Sequence, residues 1–382
     1  TTFSVNTNDL SDSIVLTGPV ISGDYLVVGG GGGGGSNAGS GGGAGGMLTG
    51  TLANLTPGSY AITVGAGGSG GVNFAIGLDG SDGSGSSITD LIVVTGGGGG
   101  VATGNGRFGG SGGGGSRGQP PTNDPTQFAG GTGVSSPQRQ GYNGGSGQHQ
   151  GGQNRAAAGG GGAGAVGQDS QSSSQGGAGG SGRQSIITGT SVYYAGGGGG
   201  ACHNTATGGA GGSGGGGAGG NSTGNSGGSA GANGNANTGG GGGGGAGYGL
   251  AGGSGGNGIV IIRYYAVSAL LTVSGGIINQ YTSNGINYTS HTFLSNGTFI
   301  IHQNISDGSA LRQLVEGVKT FNDIIIGNLS GNATSVTGGL TTSHEITDLS
   351  GITDMGSGKI ITDAERTSIN NISGVPSNVN YF

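Results

Sequence analysis

Residues 24–35 decide the fold, because Asp24-Tyr-Leu-Val-Val28 leads directly into seven consecutive glycines that end at Gly35. The first five residues are mostly aliphatic or aromatic, with two valines, and this composition predicts a β-strand. Glycine brings no side chain to a core and loses more conformational freedom on folding than any other residue. We therefore expect short strands to frame a structure whose interior consists of main chain rather than packed side chains.

The glycines are concentrated in one part of the chain. Of 109 glycines in 382 residues, 93 lie in residues 29–258. Hydrophobic residues make up 30% and charged residues 7% of the chain, far below the roughly 45–50% and 25% of an ordinary soluble domain. This composition argues against an enzyme with a conventional packed core.

Charge and cysteine content exclude further classes of protein. Ten lysines and arginines against sixteen acidic residues give a net charge of −6, which argues against nucleic-acid binding because that function requires a cationic surface. No apolar run approaches the roughly 20 residues of a membrane span. Cys202 is the single cysteine, so the chain has no internal disulfide framework.

Short strand-like runs interrupt the glycine background. Each contains β-branched or aromatic residues, and most are bounded by Gly or Pro, as is typical of strands. No helical periodicity precedes about residue 310. The predicted strands are residues 13–17, 24–28, 60–64, 88–94, 185–188 and 259–265.

Glycine runs such as residues 29–35, 96–100 and 239–245 allow two interpretations. Flexible linkers are the common form of Gly/Ser-rich sequence. Alternatively, consecutive glycines suit polyproline II helices, which rise about 3.1 Å per residue with roughly three residues per turn and no internal hydrogen bonds. Neighbouring helices then satisfy every main-chain N–H and C=O group. We predict a mostly β fold in which short strands frame a polyglycine II helix lattice, with the linker as the alternative.

Three segments carry a resemblance to a known family. They are Tyr25-Leu-Val-Val-Gly29, the stretch from Leu55-Thr-Pro-Gly-Ser-Tyr60 to Gly68, and Gly255-Gly-Asn-Gly-Ile-Val-Ile-Ile-Arg-Tyr264. Together they resemble the glycine-rich domain of bacteriophage tail fibres and giant-virus surface proteins, over about residues 12–265. The resemblance implies stacked glycine helices whose tip loops, in related adhesins, touch a host receptor.

The C-terminal third carries a second resemblance. Residues 327–335 and 356–370 are similar to segments that recur in phage fibre shafts and some algal-virus fibres. Thr362-Asp-Ala-Glu365 is a capping box, which predicts a short helix. Shaft segments of this kind wrap around identical copies, so the resemblance implies a homotrimer. The predicted organisation is N-terminal strands (1–28), a polyglycine II domain (29–265), a small β-hairpin repeat (266–306) and an extended fibrous, shaft-like trimerisation segment (307–382).

No motif for catalysis or cofactor binding is complete. Gly-x-Gly-x-x-Gly matches arise by chance at this glycine content, and no Gly-Lys-Ser/Thr phosphate loop is present. His291 and His302 have no further ligand pair at metal-binding spacing. Cys202-His203 has no identifiable third partner for nucleophilic catalysis. We predict no enzymatic activity, no cofactor and no metal site.

Two polar segments break the glycine pattern and provide the candidate binding residues. Residues 119–155 and 168–194 combine amides, arginines and aromatic rings, which read as projecting loops. These groups bind sugars through hydrogen bonds and stacking. The candidate receptor or glycan contacts are Gln119, Asn123, Phe128, Arg139, Tyr142, His149, Arg155, Arg183, Tyr193 and Tyr194.

Taken together, these features predict a virion-surface fibre or tail-fibre adhesin with a structural and host-attachment role. Its expected partners are two further copies of itself, a host-cell glycan or receptor, and other fibre or capsid proteins, at the virion surface or outside the cell. Nucleic acid and a membrane span are not expected. The alternatives are a self-assembling extracellular filament protein and a glycine-rich ice-binding protein. Ice binding favours uniform short repeats, which the irregular glycine runs do not provide.

Overall fold

The described residues form β-sheets and extended glycine segments, and none of them is helical. The computed structural model describes residues 19–72, 77–89, 91–117, 128–147, 155–170, 175–204, 206–224 and 227–304. The chain divides into two compact units, Thr1–Gly317 and Val318–Phe382, and every described residue belongs to the first unit. The predicted strand at residues 13–17 and the predicted shaft with its short helix lie outside the described residues.

Sixteen strands occur in the described part of the chain. They are β1 (Ile21–Val28), β2 (Met47–Leu55), β3 (Gly58–Thr63), β4 (Ser86–Ile88), β5 (Ile92–Val94), β6 (Arg155–Ala156), β7 (Arg183–Ser185), β8 (Val192–Tyr194), β9 (Cys202–His203), β10 (Ser222–Gly224), β11 (Gly227–Gly228), β12 (Ile259–Tyr264), β13 (Leu271–Ser274), β14 (Ile277–Ser283), β15 (Ile286–Phe293) and β16 (Gly297–Gln303).

Ten of these strands build two antiparallel five-stranded sheets. The first sheet has the order β14-β15-β12-β1-β2, and the second has the order β13-β16-β3-β4-β5. In the first sheet Val28 is opposite Ile259 and Asp24 is opposite Arg263. Of the strands in residues 271–303, β15 pairs with β12 and β16 pairs with β3, so this region contributes to both sheets. Three two-stranded ribbons, β6–β9, β7–β8 and β10–β11, complete the set.

The predicted strand at residues 88–94 is a hairpin rather than one strand. β4 and β5 pair with Ile88 opposite Ile92. Thr89 adopts a positive φ of 41°, and the Leu91 N–H donates to the Ile88 carbonyl over 3.0 Å. This turn reverses the chain, so the apolar run folds back on itself instead of continuing.

Alternate residues of β1 face two different cores. Tyr25 and Val27 belong to the core between the two sheets, together with Ile262, Phe299 and other residues. Leu26 and Val28 face the opposite side, where the cluster includes Ala163, Ala195 and Tyr194. The first sheet is therefore covered on both faces at β1 and β12, which explains why β12 is almost continuously apolar.

The glycine segments are joined by main-chain hydrogen bonds in a regular rotation. Every third N–H group of residues 29–36 donates to the same neighbouring segment. The three acceptor segments are residues 40–46, 78–84 and 253–256, and N···O distances are 2.8–3.0 Å. Residues 41–46 follow the same rule, with acceptors in residues 158–161, 239–242 and 95–98. We call these bonded segments the glycine array.

Side chains are excluded from the array by its close main-chain approaches. A Cβ atom added at Gly30, Gly33 or Gly34 would overlap a carbonyl oxygen of a neighbouring segment. Hydrogen bonds between main chains thus take the place that apolar side chains have in an ordinary core, and each contributes only about 1 kcal/mol net. Such an interior requires many of these bonds to form together.

The array has two ends. Gly29 follows β1 and bonds to Gly46, which precedes β2, so this proximal end lies against the first sheet. Gly35 bonds to Ser40 across a turn at residues 36–39, and this turn with the segments bonded to it defines the distal end.

Candidate functional site

The structure describes seven of the ten predicted contact residues and separates them into two groups. Arg139, Tyr142, Arg183, Tyr193 and Tyr194 lie at the proximal end, whereas Phe128 and Arg155 lie at the distal end. Gln119, Asn123 and His149 lie outside the described residues. The described residues of the two polar segments therefore do not form one continuous surface.

The proximal group is organised around Met47, the first residue of β2. The Met47 N–H donates to the Gln140 carbonyl over 2.9 Å, which places residues 139–142 beside the first sheet. Arg183 Nη2 donates to the Met47 carbonyl over 2.8 Å. Two chain segments that are distant in sequence thereby meet at one strand end.

Arg139, Tyr142 and Arg183 form the central cluster of this surface. The Arg139 guanidinium carbon lies 4.6 Å from the centroid of the Tyr142 ring, a cation–π geometry. Burial lowers the pKa of Arg183, while the charge interaction with Tyr142 opposes that shift. Tyr142 thus contacts Arg139, while Arg183 and Gln140, the residue after Arg139, both bond to Met47; we call Arg139, Tyr142 and Arg183 the Arg–Tyr–Arg cluster.

The β7–β8 ribbon presents its two tyrosines in opposite directions. Tyr194 is buried in the core on the array side of the first sheet, and burial raises its pKa. Tyr193 is 46% exposed and is opposite Gln184 in the ribbon. Tyr193 is therefore available for contacts, whereas Tyr194 serves packing.

A second polar cluster lies farther along the first sheet. Asp24 Oδ2 accepts hydrogen bonds from Arg263 Nε and Nη2 at 3.2 and 2.5 Å. Arg263 also lies 4.5 Å from the centroid of the Tyr288 ring, which stacks on Tyr281. Tyr265 packs edge-on against Tyr288 and remains 66% exposed.

A groove of about 250 Å³ lies beside this second cluster. Asp24, Arg263, Thr49 and Thr51 line it on the sheet side, and residues 185–187 line it on the ribbon side. Tyr281 fixes the ribbon by donating its hydroxyl to the Ile187 carbonyl over 2.5 Å. The groove thus offers a carboxylate and hydroxyl groups next to exposed tyrosine.

The distal end carries a buried arginine. Arg117 is 5% exposed and donates from Nη2 to the Asn37 carbonyl over 3.0 Å. Its buried Nε and Nη1 atoms have no hydrogen-bond partner among the described residues. Burial lowers the pKa of Arg117 to about 10, and the positive charge of Arg155 adds to this effect. Arg155 itself is opposite His203 in the β6–β9 ribbon.

Cys202 is not arranged as a nucleophile. The residue is buried in β9, its thiol lies 3.8 Å from the Gly220 carbonyl, and burial raises its pKa to about 11. A reactive cysteine requires a lowered pKa and access to solvent. Among the described residues, no group of three or more His, Cys, Asp or Glu side chains is placed to hold a metal ion. An apolar helix of membrane-spanning length is also absent from them.

Comparison with protein families identifies the part of the chain that carries this architecture. A family model described as a glycine-rich domain matches residues 13–265. The chain belongs to this glycine-rich domain family. No curated protein and no solved structure matches the chain.

The glycine-rich domain match ends directly after β12. It therefore includes the glycine array and all ten predicted contact residues, but it does not include β13–β16. Tyr281 and Tyr288 of the second cluster lie beyond it. Sequence reasoning missed this cluster because Asp24, Arg263 and the two tyrosines are far apart in the chain. One sequence signal for Arg263 was available. Side chains alternate along the predicted strand at residues 259–265, and this alternation places Arg263 on the face opposite Tyr264.

Proposed function

We propose that the glycine array is a polyglycine II lattice. A helix with about three residues per turn directs every third N–H to the same side, and the donors of residues 29–36 rotate among three neighbours in this way. The overlaps that a Cβ atom would make inside the array support the same interpretation. These bonds also argue against the flexible-linker alternative for residues 29–46.

We propose that the protein is a virion-surface fibre or adhesin protein that attaches to a host-cell glycan through its proximal surface. The observation that carries this proposal is the Arg–Tyr–Arg cluster, which two separate array segments hold against β2. The resemblance to phage and giant-virus fibre domains supports the virion location. In this proposal the protein has no catalytic role, its C-terminal shaft assembles a homotrimer, and other fibre or capsid proteins bind it.

The chemistry of the cluster suits a saccharide. Arginine supplies several N–H donors in a fixed plane, and tyrosine supplies a ring face and a hydroxyl group. Because the main chain is hydrogen-bonded to Gly162 at Tyr142 and paired with β8 at Arg183, little ordering of these two positions is required on binding. Exposed Tyr193 extends the surface on the outer side of the ribbon.

A self-assembling filament is the second candidate function. β14 is an edge strand of the first sheet, and Ile277 and Ile278 at its start are 59% and 52% exposed. An exposed apolar edge strand can pair with another copy of the chain. This feature favours assembly through the sheet edge instead of through the shaft.

Binding to a panel of immobilised glycans tests the adhesin proposal. We expect the protein to bind at least one glycan, and Arg139→Gln and Tyr142→Ala to weaken that binding about tenfold or more, because each removes a contact group. Arg107→Gln is the matched control, since Arg107 is exposed and paired with Asp82 outside the proximal surface. Unchanged binding by the two cluster variants would contradict the proposal.

A further inference from the structure

The two arginines of the Arg–Tyr–Arg cluster have no ion-pair partner among the described residues. The ion pairs found there are Arg107–Asp82 and Arg263–Asp24. Arg139 Nη1 instead lies 3.4 Å from the Gly141 carbonyl, and Arg183 Nη2 donates to the Met47 carbonyl. Within the described part of the chain, the cluster thus combines two positive charges with neutral partners only.

The acidic side chains of the described residues are engaged elsewhere. The described part of the chain contains six arginines, four aspartates and neither lysine nor glutamate. Besides the two ion-paired aspartates, Asp79 accepts the Ala102 N–H over 2.9 Å and Asp169 accepts the Ser146 N–H over 2.6 Å. No described carboxylate is therefore placed to neutralise the cluster.

Because Arg183 is partly buried, a bound negative charge stabilises its charged form more than it would stabilise a fully exposed arginine. Arg183 is half-buried, and desolvation lowers its pKa, so its charged form is less well solvated than that of an exposed arginine. An anionic group bound beside the Arg183 guanidinium would restore this lost stabilisation. A charge-assisted hydrogen bond to carboxylate is roughly twice as strong as a neutral one.

We propose that the Arg–Tyr–Arg cluster binds the carboxylate of an acidic saccharide. The two arginines donate N–H groups to the carboxylate, and Tyr142 positions Arg139 and contacts the sugar. This inference rests on the proposed glycan-binding function and specifies its ligand class. Nucleic acid is disfavoured as the ligand, because its recognition requires an extended cationic surface, whereas the described residues contain no lysine and the whole chain has a net charge of −6.

The test compares two polymers with the same sugar backbone, one with free carboxylates and one with the carboxylates methyl-esterified. Binding of the full chain to immobilised polygalacturonate and to its methyl-esterified, neutral form is measured at low and high salt. We expect the acidic polymer to bind about tenfold tighter or more at low salt, and added salt to weaken that binding because exposed charges are screened.

Variants locate the interaction. Arg139→Gln and Arg183→Gln should each weaken polygalacturonate binding about tenfold, whereas Arg107→Gln should leave it unchanged. Since Arg183 also bonds to Met47, thermal unfolding of each variant serves as a folding check, and Arg183→Lys retains a charge and a donor. We expect Arg183→Lys to bind with an intermediate affinity, because lysine lacks the planar fork of arginine.

Each outcome separates this inference from the adhesin proposal. Equal affinity for the charged and neutral polymers, or binding that Arg139→Gln leaves unchanged, overturns the acidic-saccharide inference. Failure to bind polygalacturonate, combined with Tyr142-dependent binding to a neutral glycan in the panel, also overturns it and leaves the adhesin proposal standing. Failure to bind any glycan overturns both.

Discussion

At the scale of single residues, the array depends on the absence of side chains. Gly33 lies within it, and a Cβ atom there would overlap the Ser69 carbonyl. We expect Gly33→Ala to lower the free energy of unfolding by about 3 kcal/mol or more, because two bonded main chains must separate. Gly297→Ala is the matched control, since its nearest neighbour would be the Phe293 ring at 3.2 Å. Thermal unfolding measures both, and equal effects would contradict a main-chain interior.

A buried histidine gives the two-sheet core a dependence on pH. His291 is fully buried, with Nδ1 2.6 Å from the Gly275 carbonyl and Nε2 2.9 Å from the Tyr264 hydroxyl. These contacts suit a neutral ring that donates from Nδ1 and accepts at Nε2. Burial lowers the pKa of His291, although the hydrogen bond to Gly275 opposes this shift.

This arrangement fixes the sign of the pH effect. Because the folded pKa lies below the unfolded value of about 6.5, the stability from His291 is present above that value and is lost as pH falls below it. We expect the melting temperature to fall between pH 7 and pH 5, and the fall to be smaller in His291→Gln. His302→Gln, at an exposed position, should retain the full pH dependence. A wild-type melting temperature independent of pH over this range would refute the prediction.

At the scale of elements, Arg263 links the first sheet to the loop that follows β7. Arg263 bonds to Asp24 within the sheet and also lies 3.4 Å from the Ile186 carbonyl and 3.2 Å from the Tyr281 hydroxyl. The Arg263 side chain is 14% exposed and that of Asp24 is 43% exposed, so solvent screens the pair in part. We expect a coupling energy of about 1 kcal/mol.

A double-mutant cycle of Asp24→Asn and Arg263→Gln, followed by urea unfolding, measures this coupling. The Asp82–Arg107 pair is the control, because both of its side chains are 44% exposed and we expect a smaller coupling there. Equal couplings for the two pairs would show that the lower exposure of Arg263 does not strengthen its pair with Asp24.

Some strands could be predicted from the sequence, whereas turns and strand partners could not. Strands at residues 24–28 and 259–265 were predicted because their apolar composition contrasts with the glycine around them, and β1 and β12 are found there. The run at residues 88–94 was predicted as one strand because a turn at Thr89, without Gly or Pro, leaves no signal in composition. Strand partners such as β3 and β16 are more than 230 residues apart, and periodicity carries no information about such pairing.

The candidate site shows the same limit. Composition selected Arg139, Tyr142 and Arg183 as candidate contacts because each interrupts the glycine pattern. That Met47 brings them together depends on hydrogen bonds between segments of the array. Arg263 and Tyr281 were not selected, since arginine and tyrosine within strands are ordinary in sequence.

At the scale of the whole molecule, the oligomeric state decides between a fibre and a filament. The proposed shaft at residues 307–382 wraps around two further copies, so light scattering should give a discrete mass near three times the chain mass of 35.6 kDa. Removing residues after Asn304 should give a monomer, because the described sheets and array form their cores within one chain.

The filament alternative predicts a different response. If β14 edges pair between copies, full-length and truncated chains should both form open-ended assemblies, and Ile277→Lys with Ile278→Lys should disperse them, because edge charges oppose strand pairing. In the trimeric fibre the same double variant should leave the mass unchanged, since the shaft and not the sheet edge joins the copies. A monomeric full-length chain would contradict both assemblies. Glycan binding would then depend on a single copy of the Arg–Tyr–Arg cluster, and multivalency would not increase its affinity.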